Sequence, residues 1–208
     1  MENEKYVINI GRQLGSGGRL IGQQLSAELG IGFFDKELIQ IASKESGLGK
    51  EFFERADEKS KFSLFGDFAG LFLSPLNEGY LNNYLRNESL FQIQSDVIRQ
   101  LAEQQSCIFV GRCADYILRH HPRCINIFVC ANLDERLQRV KEQQQISSEK
   151  ALEVIERTDK QRAGYYNYYS NKIWGMATSY HLCVNSSVLG IEESARYIRA
   201  FAVERLGL

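Results

Sequence analysis

The chain has 208 residues, 44% hydrophobic and 25% charged, with a formal net charge of −1. That length and mix suit one large folded domain, and the near-neutral charge argues against a dedicated nucleic-acid binder, which usually carries a strong positive excess. No apolar run approaches the roughly 20 residues that span a bilayer, and the opening Met1-Glu2-Asn3-Glu4-Lys5 has no apolar signal core behind it, so a cytoplasmic protein without a membrane partner is expected.

Tyr6-Val7-Ile8-Asn9-Ile10 predicts a first strand. A glycine-rich stretch follows at once, and then Leu20, Ile21, Leu25 and Leu29 at helical spacing, with Gly30 as the stop. A short second strand is expected at 32–35 and helices at 36–46 and 50–59. Residues 60–79 keep no period and read as an irregular connection. One long helix is predicted over 80–105, with Leu90, Ile93, Val97, Ile98 and Leu101 on its apolar side. Cys107-Ile108-Phe109-Val110 and Ile125-Asn126-Ile127-Phe128-Val129 are continuous apolar runs, as strands buried on both faces require. Helices are expected after them at 114–118 and 133–144, then a charged helix at 149–169, a last strand at 182–185 and a closing helix at 191–206. Alternation of this kind predicts an α/β fold, a parallel sheet flanked by helices. Cys107, Cys113, Cys124, Cys130 and Cys183 form no C-x-x-C pair and are read as reduced thiols.

The stretch between the first strand and first helix reads Gly11-Arg12-Gln13-Leu14-Gly15-Ser16-Gly17-Gly18-Arg19. A strand, a glycine turn and a helix start together aim backbone N–H groups and the positive helix end at one spot, a site for phosphate. The dinucleotide fingerprint G-x-G-x-x-G fails because its third glycine falls on Leu20. The pattern G-x-x-x-x-G-K-S/T fails too. With Gly15 and Gly17 in their P-loop places, the lysine position is Gly18 and no hydroxyl residue follows. Arg12 and Arg19 offer a substitute cation, of which Arg19 at the helix start is the choice, and Ser16 is the nearest hydroxyl for a magnesium ion.

Three stretches carry a family resemblance: Ile10 to Leu38, Val110-Gly111-Arg112-Cys113-Ala114-Asp115-Tyr116-Ile117-Leu118, and Tyr165 through Trp174-Gly175 to Ser187. Together they resemble the cytidylate-kinase-like family, over nearly the whole chain and in order. The resemblance implies a nucleoside-monophosphate-kinase architecture of the P-loop type, with a helical acceptor-binding insertion at 36–105 and an arginine-bearing lid at 144–170. It implies ATP with Mg²⁺ as donor. Arg112 is implied to meet the acceptor phosphate, with Asp35 and Asp115 on the acceptor side. Arg139, three residues after Arg136, is implied near the nucleotide, and Arg157 and Arg162 on the lid. The departures are Ile41 where ordinary cytidylate kinases carry an arginine, and Cys113 where they carry an aspartate.

Several readings stay open at this point. Arg157 and Arg162 read equally as cations for the transferring group and as solvated helix charges among Glu153, Glu156, Asp159 and Lys160. Asp35 reads as a ligand to a hydroxyl or hydrated metal, or as a helix N-cap. Tyr165, Tyr166, Tyr168 and Tyr169 read as a base-stacking cluster or as helix packing. The expected function is transfer of the ATP γ-phosphate to a nucleoside monophosphate or related small phosphorylated acceptor. The alternative is a degenerate P-loop protein that binds a nucleotide or another anion as a sensor or partner module.

Overall fold

The structure is a computed structural model and describes residues 5–36 and 79–208. The helices expected at 36–46 and 50–59, and the irregular connection expected at 60–79, lie outside the described residues but for the end residues Lys36 and Gly79. Met1–Lys36 with Arg99–Leu208 form one compact unit, and Glu37–Ile98 form a second.

Within the first unit, β1 (Val7–Arg12) leads into α1 (Gly18–Leu29) and β2 (Gly32–Phe34). The long helix α2 (Gly79–Gln104) starts in the second unit, and its residues Val97 and Ile98 are buried. After it come β3 (Cys107–Val110), the short α3 (Ala114–Ile117) and β4 (Cys124–Cys130). Then follow α4 (Leu133–Gln144), α5 (Ser148–Ser170), a single 3₁₀ turn at Ala177–Ser179, β5 (Leu182–Asn185) and α6 (Ser186–Leu206).

The five strands pair in the order β2-β3-β1-β4-β5, and every pairing is parallel. Ile8 lies level with Ile108 on one side and Ile125 on the other. These residues, with Ile10, Val110, Ile127 and Val129, are almost wholly shielded and pack with Ile21 and Leu25 of α1 and Ala195, Ile198 and Ala202 of α6. Burying them is the main favourable term in the fold, about 1.5–3 kcal/mol for each branched side chain. The neighbouring residue Asn9 is also buried and donates from Nδ2 to Asn126 Oδ1 at 2.9 Å. The amide nitrogen thus finds a partner, while Asn9 Oδ1 is buried without one.

Gly30 ends α1 at φ 64°, and its N–H donates to Ser26 O. Gly190 interrupts α6 at φ 75°, ψ 173°, so the closing helix expected from Ile191 is the longer piece of an element that begins at Ser186. With β1 in the centre, the chain runs first to one side of it and then to the other. In open parallel sheets, ligands bind outside the carboxyl ends of the strands at such a reversal. The segments that leave β1, β3 and β4 there are 13–17, 111–113 and 131–132.

Candidate phosphate-binding site

Residues 13–17 carry the chain from β1 to α1 in a tight loop. Gly15 and Gly17 both take φ 77°, a left-handed conformation that side chains other than glycine adopt at a cost. Space closes them as well: a Cβ at Gly15 would fall 2.8 Å from Arg136 O, and one at Gly17 2.9 Å from Ile191 Cδ1. Gly17 caps α1 without a side-chain bond, so the first N–H groups of the helix have no acceptor within it. Ser16 is fully buried, and its hydroxyl donates to Gln13 O at 2.8 Å. Its carbonyl accepts from Ser186 Oγ at 2.7 Å. The hydroxyl expected beside a metal is therefore turned into the loop.

Three arginines hold the loop from outside. Arg162 Nη1 donates to Arg12 O at 3.1 Å, Arg136 Nε to Leu14 O at 2.7 Å, and Arg139 Nη1 to Gly15 O at 3.0 Å. With these carbonyls taken by donors on α4 and α5, the peptide dipoles are fixed before any ligand arrives. Asp159 completes the brace: its Oδ1 accepts from Leu14 N at 2.8 Å, and its Oδ2 pairs with Arg136. Arg139 also pairs with Glu135 at 2.6 Å. Burial lowers the pKa of Arg162; Asp159 opposes that shift, while the nearby charges of Arg136 and Arg112 add to it. Arg162 thus lies near two further guanidinium groups as well as the Asp159 carboxylate.

Arg112 lies just past β3 at φ 60°, within the run Gly111, Arg112, Cys113, all at positive φ. Its guanidinium stands over the Tyr165 ring, 5.5 Å from the centroid. Two adjacent non-glycine residues in the left-handed region represent local strain, about 1–3 kcal/mol each. Arg19 is 57% exposed, and its Nε donates at 2.8 Å to the buried carboxylate of Asp35, at the end of β2. Arg157 is exposed on α5.

Asp115 is buried and accepts from Tyr166 Oη at 2.7 Å. Burial raises its pKa, against the opposing pull of the Tyr166 hydroxyl and Lys172. Burial pushes Tyr180 up to about 12, and its ring lies 6.3 Å from that of Tyr166. The four tyrosines of α5 thus divide: Tyr166 is enclosed, Tyr165 packs tilted against Tyr169 and under Arg112, and Tyr168 is 57% exposed. Trp174 packs edge-on against Phe128 with centroids 5.3 Å apart.

So the structure brings together Arg12, Gly15, Ser16, Gly17, Gly18, Arg112, Arg139 and Arg162 around the loop. It pairs Arg19 with Asp35 and turns Asp115 to Tyr166. Sequence reasoning missed Asp159, which looked like one more charge on a charged helix. Among the described residues no three His, Cys, Asp or Glu side chains gather as a metal cage. All five cysteines are free thiols, and no described helix is long and apolar enough to cross a membrane.

A five-stranded parallel sheet in this order, with a glycine loop from its central strand to a helix, defines the class: α/β proteins of the P-loop kinase fold. Within it, the sequence model of the cytidylate kinase-like family matches residues 7–188, and the chain belongs to that family. The fold is also that of an uncharacterised protein from Eubacterium ventriosum, 24% identical with a TM-score of 0.72, covering 97% of this chain and 100% of that one. It is similar to shikimate kinase from Bacteroides thetaiotaomicron, at 13% identity and TM-score 0.52 over 94% of this chain and 97% of that one. It is similar too to shikimate kinase from Acinetobacter baumannii, solved with shikimate, at 15% and 0.50 over 98% and 95%. Comparison with curated proteins yields no significant match. Family membership supports a kinase-type phosphotransferase.

Proposed function

We propose that the protein transfers the γ-phosphate of ATP to a nucleoside monophosphate or a related small phosphorylated acceptor. The observation that carries this reading is the loop whose carbonyls at Arg12, Leu14 and Gly15 are each bound by an arginine. With the N–H groups of Gln13, Leu14 and Ser16 already bonded to Val129 O, Asp159 Oδ1 and Gln13 O, such a loop offers the first N–H groups of α1 and the positive end of that helix to the phosphates of a donor. Arg112 and Arg162 supply charge to the group in flight, since phosphoryl transfer is catalysed chiefly by position and electrostatics. Arg112 with the Arg19–Asp35 pair takes the acceptor at the ends of β3 and β2, and Asp115 acts behind them by fixing Tyr166. In this reading the segment 144–170 is the arm that brings Arg157 and Arg162 to the phosphates, and 36–105 the acceptor-binding insertion. In this reading magnesium enters with the triphosphate as part of the substrate. A cytoplasmic location suits an enzyme that draws on the ATP pool.

Coupled ADP release with ATP, Mg²⁺ and a panel of nucleoside monophosphates tests the reading. Turnover is expected with a pyrimidine monophosphate, and Arg112→Ala should lower kcat by about 10²-fold, the usual loss when one donor to the transition state is removed. A second reading, a P-loop protein that binds nucleotide without transferring phosphate, is favoured by Gly18 standing where the lysine belongs. ATP binding without turnover of any acceptor would decide for it.

A further inference from the structure

The phosphate loop lacks its lysine, yet the structure has a cation rooted in the same space. With Gly17 as the second glycine of G-x-x-x-x-G-K, the first glycine place is Arg12 and the lysine place is Gly18. Both places depart from the pattern, and in opposite senses: a side chain is missing at one and added at the other.

These two positions touch. A Cβ on Gly18 would fall 2.7 Å from Arg12 Cβ, 3.2 Å from Arg12 Cγ and 3.3 Å from Val129 Cβ. Nonbonded carbons settle at about 3.5–4.0 Å, so a lysine at 18 and an arginine at 12 exclude one another. The Arg12 stem starts against the first residue of α1. Its far end lies against Gly111: Arg12 Nη1 stands 2.1 Å from where a Cβ at Gly111 would be, with Cζ at 3.1 Å. The side chain therefore crosses from the start of α1 to the end of β3, between the loop and Arg112. Arg19, the other cation in the loop sequence, follows the lysine place and has its Nε on Asp35.

We propose that Arg12 is the phosphate-contacting cation of this loop, taking the place of the absent lysine from the strand side instead of the helix side. The proposal rests on the phosphotransfer reading above and deepens it. A guanidinium binds phosphate oxygens through two parallel N–H groups, where an ammonium acts as a point charge. Delivered beside Gly111 and Arg112, it sits between the donor phosphates on the loop and an acceptor held past β3. Gly111 is then the glycine that admits the guanidinium, and Gly18 the one that admits its stem.

The test is a reciprocal exchange, read by calorimetry with ATP and with inorganic tripolyphosphate, by turnover, and by circular dichroism. Arg12→Met keeps the stem without the charge and should weaken both ligands about tenfold or more, as loss of a charged hydrogen bond does. Gly18→Lys alone should weaken them too, because Arg12 Cβ is in the way. The double variant Arg12→Gly with Gly18→Lys, which restores the glycine and lysine places of the pattern, should bind and turn over better than either single variant. A merely structural Arg12 predicts no such rescue. The proposal is overturned if folded Arg12→Met binds both ligands like the parent, or if the folded double variant is no better than the single ones. If Arg12→Met does not fold, the double variant decides alone. If the parent protein binds neither ATP nor tripolyphosphate, the phosphotransfer reading itself falls. That outcome is distinct from a parent that binds and an Arg12→Met that binds equally well.

Discussion

Asp159 meets two demands with one carboxylate: it caps the N–H of Leu14 and neutralises Arg136, whose side chain is only 8% exposed. Removing it leaves a buried guanidinium without its charge partner, a loss of about 3–5 kcal/mol in comparable pairs. Asp159→Ala should therefore lower the urea midpoint sharply, and Asp159→Asn, which still accepts from Leu14, should lower it less; equal midpoints would mean that only the charge matters. Asp115 permits a test by pH. Burial raises its folded pKa above that of the unfolded chain, so the native state holds the proton more tightly. The stability from that protonated carboxyl is complete below the ordinary carboxylate range and is lost as pH rises through the folded pKa. Asp115→Asn cannot ionise, so its melting temperature should gain on that of the parent from acid to neutral pH. A constant difference would show that Asp115 does not titrate differently in the two states. At this scale the sequence was readable where backbone geometry leaves a residue no substitute, as at Gly15 and Gly17. It was opaque where a charge has a buried partner far along the chain. Asp159 and Glu153 look alike on one charged helix, yet Glu153 pairs at the surface with Lys150 and Asp159 reaches the glycine loop at Leu14.

The elements themselves were largely legible, because apolar spacing encodes them directly. Cys107–Val110, Leu133–Gln144 and Leu182–Asn185 lie where the pattern put them. β1 runs two residues further than Ile10, since Gly11 and Arg12 pair with Phe128 and Val129 of β4; no local signal in a glycine and an arginine announces a strand. α6 is informative in another way. Gly190 sits at φ 75°, ψ 173°, and a Cβ there would meet no atom within 4 Å. The conformation alone excludes other residues, at about 1–3 kcal/mol. Gly190→Ala should therefore destabilise by that amount in chemical denaturation without creating any clash. A neutral outcome would mean that the helix closes over the break.

For the molecule as a whole, the parallel class was readable from alternating strands and helices, but the strand order was not. The central strands are all largely apolar, so hydrophobicity ranks none of them; the crossovers place β3 next to β1 and send β4 to its other side. The positive charge around the loop likewise exists only after folding, since the chain is nearly neutral in sum. Triphosphate affinity should accordingly fall as salt is raised from low to physiological strength, while binding of the uncharged nucleoside changes little. Equal salt dependence for both ligands would argue against an electrostatic site.

The three arginines that brace the loop set a timetable for its assembly. Their bonds to Leu14, Gly15 and Arg12 span 122, 124 and 150 residues of chain. At about 5–20 residues per second, on the order of ten seconds of synthesis separate Leu14 from the arginine that completes its surroundings. The glycine loop is thus made long before the arginines that give it its shape. A nascent chain halted before Arg162 should carry the complete loop sequence and still fail to hold the anion.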